Sequence, residues 1–340
     1  MSRLGGPAAR ARPLVALLLL MAFVLLVAGA AGEALHAVAI NAAVYLIFVV
    51  GTYVFVGVSG TISFGQVGFA AVGAYVSAIV TMPAESKALV LPDLPVWLAK
   101  VEVPLAGAAM ISAVVAAIVA VIVAVPLMRL RGIAAGIATF AVLVIIYDVL
   151  LNWKQVTGGA GTLSGIPLDL GLGTALVVAM IVVVVAFWYQ GSRWGLRLRA
   201  SREEEVAARA AGVGIELQRG IAFVLSAAIM GVGGCLYAHQ QGVLTPNGFF
   251  LGLTFLTLAM LTIGGTRSLS GAVVGTLVIA AVQEIFRRLS SGGEGIGPID
   301  LGLPAGTAPV FIAALMLLVM ARRPDGITRG RELGDRFRGR

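Results

Sequence analysis

Three groups of residues in this chain have the types and spacing that chemistry or binding would need. Cys235 and His239 lie four apart, so one face of a helix would carry both, and a thiolate–imidazole pair can form there. No third ligand and no orienting carboxylate accompanies them, so two small polar residues inside a helix bundle is the better reading, and no metal site is expected. The second group is Ser59, Thr61, Ser63 and Gln66, set among Gly57, Gly60, Gly65, Gly68 and Gly73 and ending at Tyr75. Hydroxyls and an amide between helix-breaking glycines fit a broken helix beside a solute route, where free N–H groups favour a carboxylate. They fit equally a tight turn followed by a small-residue packing face.

The third group begins at Ser201. Ser201 followed by Glu203, Glu204 and Glu205 predicts an N-cap with acids in the first turn, and Glu204 is placed for a capping box. Val206, Ala207, Ala210 and Ala211 then form a small apolar face, and Gly212 or Gly214 ends the helix. Its charges are mixed rather than purely basic, so a groove on a cytoplasmic partner suits it better than lipid headgroups. A further polar stretch, Thr157–Pro167, contains Thr157, Gly158 and Gly159; it is a connecting loop that can also serve as an outer gate.

Catalytic groups are otherwise missing. No Gly-x-x-x-x-Gly-Lys-Ser/Thr run cradles a nucleotide, and the strings Gly231–Gly234 and Gly292–Gly297 lack the strand-then-helix setting of a dinucleotide fold. A lone cysteine excludes an internal disulfide. No enzyme activity and no cofactor is expected in this chain. Asp148 and Glu284 sit near the ends of apolar stretches, and no acidic or histidine relay runs between them. Ion-driven carriers usually hold such buried charges, so a self-contained secondary carrier or channel is the weaker reading.

The elements that position these groups are membrane helices. The 340 residues are 59% hydrophobic and 12% charged, about half the charge of a soluble domain, and the mean hydropathy is +1.02. With 44 glycines and few aromatics, the apolar mass has the composition of tightly packed membrane helices. Ten apolar stretches read as spans: Leu14–Ala31, His36–Val56, Ile62–Thr81, Val103–Val125, Ile133–Leu151, Leu172–Tyr189, Ile221–His239, Phe250–Gly264, Ala272–Phe286 and Ala308–Ala321. The eighth and ninth are short enough to be tilted or partly re-entrant. The first has the outline of a signal peptide as well as of a span, and its length favours a retained span. The fold class is therefore an all-α polytopic membrane protein, with one transmembrane domain over 1–325, a cytoplasmic loop at 190–220 within it, and a basic tail at 326–340.

Alternating spans from a cytoplasmic N-terminus put all but five of the 24 lysines and arginines inside, the exceptions being Lys87, Lys100, Lys154, Arg287 and Arg288. Both termini are then cytoplasmic. The net charge of +8 lies in short loops and the tail, which favours a lipid surface over nucleic acid. The pairs Gly132/Gly136, Gly248/Gly252 and Gly271/Gly275 permit close helix contact.

In order and spacing, several segments resemble the permease subunit of branched-chain amino acid ABC importers, the LivM type. They are Gly60-Thr-Ile-Ser-Phe-Gly-Gln66 with Gly73-Ala-Tyr75, Leu130-Arg-Gly-Ile133 with Thr139, and Leu151-Asn-Trp153 with Thr157-Gly-Gly159. Gly195-Leu-Arg-Leu-Arg-Ala200, Glu205-Val-Ala-Ala208 with Gly212, and Gly264-Gly265 with Gly271 continue the match. The resemblance implies transport by alternating access, two cytoplasmic ABC ATPases that hold ATP and Mg, a second related permease, and an extracytoplasmic solute-binding protein, in the plasma (inner) membrane. It also implies that the 190–220 loop is similar to the Glu-Ala-Ala loop that seats in the ATPase, with Glu203, Glu204, Glu205, Ala207, Ala208, Ala211 and Gly212 as coupling residues. Val206 stands where that motif has glutamate, and the usual Leu-Pro is missing. The implied solute is a branched-chain or other hydrophobic amino acid; relatives on the same scaffold import urea or short amides.

Overall fold

The computed structural model describes residues 7–30 and 32–290, with positions 310, 311, 313, 314, 316, 318, 322, 325–328, 330 and 332 of the C-terminal stretch. Arg3, Gly292–Gly297, most of the expected tenth span and most of the basic tail lie outside the described residues. The chain is helical nearly throughout, because backbone polar groups in lipid must be satisfied within the segment that carries them. In order the helices are α1 (Pro7–Ala30), α2 (Glu33–Thr52), α3 (Gln66–Thr81), the short α4 (Ala84–Val90) and α5 (Val96–Ala99), and α6 (Leu105–Leu127). There follow α7 (Gly132–Asn152), α8 (Lys154–Thr157), α9 (Leu172–Gly191), α10 (Arg193–Glu203), α11 (Glu205–Ala210), α12 (Ile215–Gln241), α13 (Leu251–Gly264) and α14 (Leu269–Ser290). A π turn, Tyr53–Gly57, extends α2.

Seven of the described helices are long and apolar enough to cross a membrane, or eight if α3 and α4 count as one span bent by 120°. Pro83 sits at that bend and supplies no backbone N–H to carry the helix through it. Ten spans was therefore an approximate count. The expected third span loses its first turn, since Gly60–Gly65 is irregular and α3 begins only at Gln66. The expected ninth span is full length, with α14 running 22 residues.

α12 lies at the centre, packed against α3, α6 and α2, while α6, α7 and α9 leave most of their surface outward. The α3–α12 contact is a seam of small residues. A Cβ added at Gly73 would lie 2.3 Å from the Gly231 carbonyl oxygen, and one at Gly234 would lie 2.0 Å from that of Ala70. Close backbone approach of this kind replaces the hydrophobic effect as the glue between helices in lipid. Of the three expected glycine pairs, Gly271/Gly275 meets the backbone of another helix, at Gly264 of α13.

The two ends of the bundle separate as alternating spans require. At one end, Arg131 reaches Glu205, Arg202 reaches the carbonyl of Gly57, and Thr328 reaches that of Gly264. At the other, β1 (Leu163–Ser164) pairs antiparallel with β2 (Val243–Leu244), and His239 Nε2 lies 3.1 Å from the Thr81 hydroxyl. His239 Nδ1 is 2.8 Å from the Cys235 carbonyl and 4.0 Å from Cys235 Sγ, a buried helix-surface contact without further ligands. Among the described residues no group of three His, Cys, Asp or Glu side chains converges as a metal site.

The tail residues that are described do not float free. Ile327 and Thr328 donate backbone N–H groups to Ile263 and Gly264. Glu332 accepts from the N–H groups of Leu269 and Ser270 at 3.0 and 3.1 Å, capping α14.

Candidate functional site

The polar loop between α9 and α12 folds as two helices, not one. Ser192 is the N-cap of α10, accepting from the Gly195 N–H at 3.2 Å. Ser201, the expected cap, lies inside α10, where its hydroxyl bonds back to the Leu198 carbonyl at 2.7 Å. The helical stretch begins eight residues before Ser201's own predicted helix because Arg193-Trp-Gly-Leu-Arg-Leu-Arg is itself helix-competent once Ser192 caps it. At Glu204 the backbone extends (φ −149°, ψ 104°), and the Glu204 carboxylate accepts from Val206 N–H to start α11. Gly212 stops it as expected: at φ +78° it donates to Arg209, and Val213 donates to Ala208, a Schellman closure.

This geometry sorts the coupling residues. Val206 (75% exposed), Ala207, Ala210 and Ala211 stand outward as an unpartnered apolar face, while Ala208 is buried against the body. Glu203 and Glu204 are exposed. Glu205 turns inward to a hub of guanidinium groups, with Arg131 at 3.2 Å, Arg209 at 3.3 Å and Arg219 at 3.4 Å. Glu216 closes the network with Arg209 at 2.5 Å. The network ties α11 to the start of α7 and of α12, so the outward face has a fixed orientation.

α10 in turn grips α2. Arg199 Nη2 donates to the Tyr53 hydroxyl at 2.8 Å and to Gln190 Oε1 at 2.6 Å, and Tyr53 donates to the same Gln190 oxygen at 2.7 Å. Arg202 donates to the carbonyl of Gly57, the last residue of the π turn. Burial lowers the Arg202 pKa, and nearby Arg267 adds to the effect; the guanidinium stays charged all the same. π turns inside α-helices recur at functional positions because they leave the ladder locally unpaired. Tyr53, Gln190, Arg199 and Arg202 were not singled out from sequence. The available signals were a tyrosine and a glutamine near the ends of apolar runs and arginines three apart on α10.

The residues expected along the solute route fall into four places. Ser59 and Thr61 line a cavity of about 670 Å³ at the α11 end, shared with Arg202, Glu205 and Arg219. The backbone there is held locally: Ser59 accepts from Thr61 N–H at 3.1 Å, and Thr139 accepts from Phe64 N–H at 3.2 Å. Ser63 and Gln66 are buried deeper, in a polar knot where Ser226 Oγ lies 2.9 Å from Gln66 Oε1 and 2.6 Å from the Gly51 carbonyl. Gly73 belongs to the α3–α12 seam. Tyr75 lines a second cavity, about 490 Å³ and almost wholly apolar, between α3, α6 and α7.

Thr157 borders that same apolar cavity, so a residue expected on the route and one expected at the outer gate meet there. Its hydroxyl donates toward the Leu150 and Trp153 carbonyls at 2.7 and 2.8 Å. Gly158 and Gly159 follow at φ +75° and +67°, turning the chain sharply away from α8.

Comparison with known proteins places this architecture. The family described as branched-chain amino acid transport system / permease component matches residues 34–320. The high-affinity branched-chain amino acid transport system permease protein LivM of Escherichia coli K12 is 26% identical over 322 residues, 84% of this chain and 67% of that protein. Its counterpart in Salmonella typhimurium is 25% identical over the same shares. The autoinducer 2 import system permease protein LsrC of Escherichia coli K12 / DH10B is 29% identical over 154 residues, 43% of this chain and 45% of that one. No solved structure matches the chain.

Proposed function

The chain belongs to the branched-chain amino acid transport system permease family and is of the LivM type; from that premise we propose that it is the membrane-spanning subunit of an ATP-driven importer that works by alternating access. The observation that carries the reading is the outward Val206–Ala207–Ala210–Ala211 face of α11, mounted on the Glu205 hub yet covered by none of the described residues. A small apolar face on a fixed short helix is what a groove on a partner recognises through side-chain anchors. The partner is a cytoplasmic ABC ATPase, which supplies ATP and Mg; two such subunits, a second related permease and an extracytoplasmic binding protein complete the assembly. The α11 end is the cytoplasmic end, since arginines concentrate there, and both termini lie on that side of the inner membrane.

In this reading movement of the ATPase reaches the spans through α10. Arg199 and Arg202 hold the π turn of α2 at two points, and the irregular Gly60–Gly65 backbone begins three residues beyond it. A shift of α10 therefore pulls on the segment that carries Ser59 and Thr61. Ser59, Thr61, Ser63 and Gln66 serve the inner half of the route, Tyr75 the outer half, and Thr157–Gly159 the outer gate. The solute is a branched-chain or other hydrophobic amino acid, and the apolar cavity beside Tyr75 supports a hydrophobic one. The autoinducer 2 permeases among the relatives keep a different solute class open on this scaffold.

The test is reconstitution with the ATPases and binding protein. Uptake should require ATP and be lost in Ala207→Glu together with ATPase association. Facilitated flux by the purified chain alone, without ATPases, would instead make it a self-contained carrier or channel.

A further inference from the structure

The cavity at the α11 end has more cationic than anionic side chains in its wall. Its polar wall is Arg202, Arg219 and Glu205, and its apolar wall includes Ile62, Ile133 and Ile137. Arg219 is only 8% exposed; it reaches Glu205 through Nη2 at 3.4 Å, and its Nε–H has no hydrogen-bond partner among the described residues. Glu205 is already shared by Arg131, Arg209 and Arg219, and Glu216 by Arg131 and Arg209. Of the charged side chains that line the cavity itself, Arg202 and Arg219 are cationic and Glu205, already shared with Arg131 and Arg209, is anionic. Two guanidinium groups beside one shared carboxylate favour a further anionic acceptor.

The apolar wall identifies what carries that anion. Ile62, Ile133 and Ile137 are 61%, 83% and 65% exposed, and they stand beside the arginines at the mouth of the same cavity. Arg219 lies in the second turn of α12, and Ile133 and Ile137 lie in the first two turns of α7. The cavity is thus level with the ends of two spans, where headgroups meet acyl chains. A soluble anion would leave the three isoleucines in water.

We propose that this cavity binds an anionic phospholipid, with the phosphate at the wall formed by the Arg202 and Arg219 guanidinium groups and an acyl chain along Ile62, Ile133 and Ile137. A zwitterionic lipid brings its own cation and leaves the imbalance uncorrected, so the site prefers phosphatidylglycerol-type headgroups. Because Arg219 also holds Glu205, the lipid braces the mount of α11. The inference requires only that the chain spans a membrane; because Ser59 and Thr61 line the same cavity, the lipid borders the inner end of the route proposed above.

The experiment uses the full-length chain in nanodiscs of phosphatidylcholine containing phosphatidylglycerol, with retained lipid read by native mass spectrometry. Wild type should retain phosphatidylglycerol over phosphatidylcholine by about fivefold, the effect of one engaged basic side chain. Arg219→Gln should abolish the preference, and Arg197→Gln, an exposed arginine of α10 outside the cavity, should leave it intact. Ile137→Asn keeps every guanidinium and should release the lipid while leaving the fold unchanged, which covers the case in which Arg219→Gln does not fold. Equal retention in Arg219→Gln and wild type overturns the proposal, as does displacement by soluble glycerol phosphate at matched concentration. Protection of Ile133→Cys from an aqueous thiol reagent by a second permease chain, in lipid-free detergent, would give the surface to that chain and equally overturn it. ATP-dependent uptake measured in parallel separates these outcomes from the importer reading: loss of lipid preference with uptake intact overturns the lipid site alone, and absence of ATP-dependent uptake in the wild type overturns the importer reading alone.

Discussion

Replacing Arg199 by methionine tests how force passes from the loop helices to the spans. Methionine keeps an apolar stem of similar reach and removes two charge-assisted hydrogen bonds, at 2.8 Å to Tyr53 and 2.6 Å to Gln190. Gln190 retains the Tyr53 hydroxyl at 2.7 Å, so no buried acceptor is left bare and the loss stays at the low end for such bonds. About 2 kcal/mol is then removed from the link between α10 and α2, which corresponds to roughly thirtyfold if the link is used in every cycle. Measured in proteoliposomes with the partner ATPases and binding protein, amino acid uptake per ATP hydrolysed should fall by about that factor. ATPase association should persist, because Val206 and Ala207 on α11 are untouched. Tyr53→Phe removes the donor to Gln190 and the acceptor of one Arg199 bond and should cost about 2 kcal/mol. The two changes share the Arg199–Tyr53 bond, so the double variant should lose less than the sum. Additivity within about 0.5 kcal/mol would refute the link, as would uptake and ATP hydrolysis declining in proportion.

Three other outcomes follow from the geometry. Ala207→Glu places a carboxylate on an open surface and should leave the thermal midpoint of the isolated chain within the range of ordinary surface changes, about 0.5 kcal/mol; Ala208→Glu buries the same charge and should lower it markedly, so equal midpoints would count against the orientation assigned to α11. Gly234→Ala puts a Cβ 2.0 Å from the Ala70 carbonyl and should destabilise the chain by about 1–3 kcal/mol, read by thermal unfolding in detergent; an unchanged midpoint would mean that α3 and α12 are farther apart. Lys87 is buried on the short helix α4, where it donates to the Val101 and Leu98 carbonyls, and burial lowers its pKa while Glu102 partly restores it. The unfolded chain therefore binds this proton more tightly, so stability should rise as pH climbs from the lowered value toward the ordinary lysine value of about 10.4. Lys87→Met should lack that rise, and parallel curves for the two proteins would remove Lys87 as its source.

Most span positions were legible because an apolar run of about 20 residues has few other uses. The α6, α7 and α9 stretches were located to within about two residues for that reason. The boundary of α3 was less readable: Ile62 to Gly65 is apolar enough to be helix, and what prevents it is Thr139 on α7 holding the Phe64 N–H, a tertiary bond invisible in local sequence. The start of the loop helix was misplaced by a similar competition. Ser192 and Ser201 both have the chemistry of a cap, and the choice between them depends on Ser201 being enclosed beneath α10. Gly73 was grouped with the route on spacing alone, whereas its position at the Gly231 carbonyl is a property of two helices at once. Arg199 and Tyr53 are 146 residues apart in sequence, and no pattern within either segment names the other.

The attachment of the tail at residues 327–332 bears on how the chain is made. The first amides of α14 are satisfied by Glu332, and the turn before them is closed by Ile327 and Thr328. Translation must pass position 332 before α13 and α14 reach this arrangement. A chain cut short of it leaves the first amides of α14 without their carboxylate, and closing the junction is thus among the final steps in making the chain.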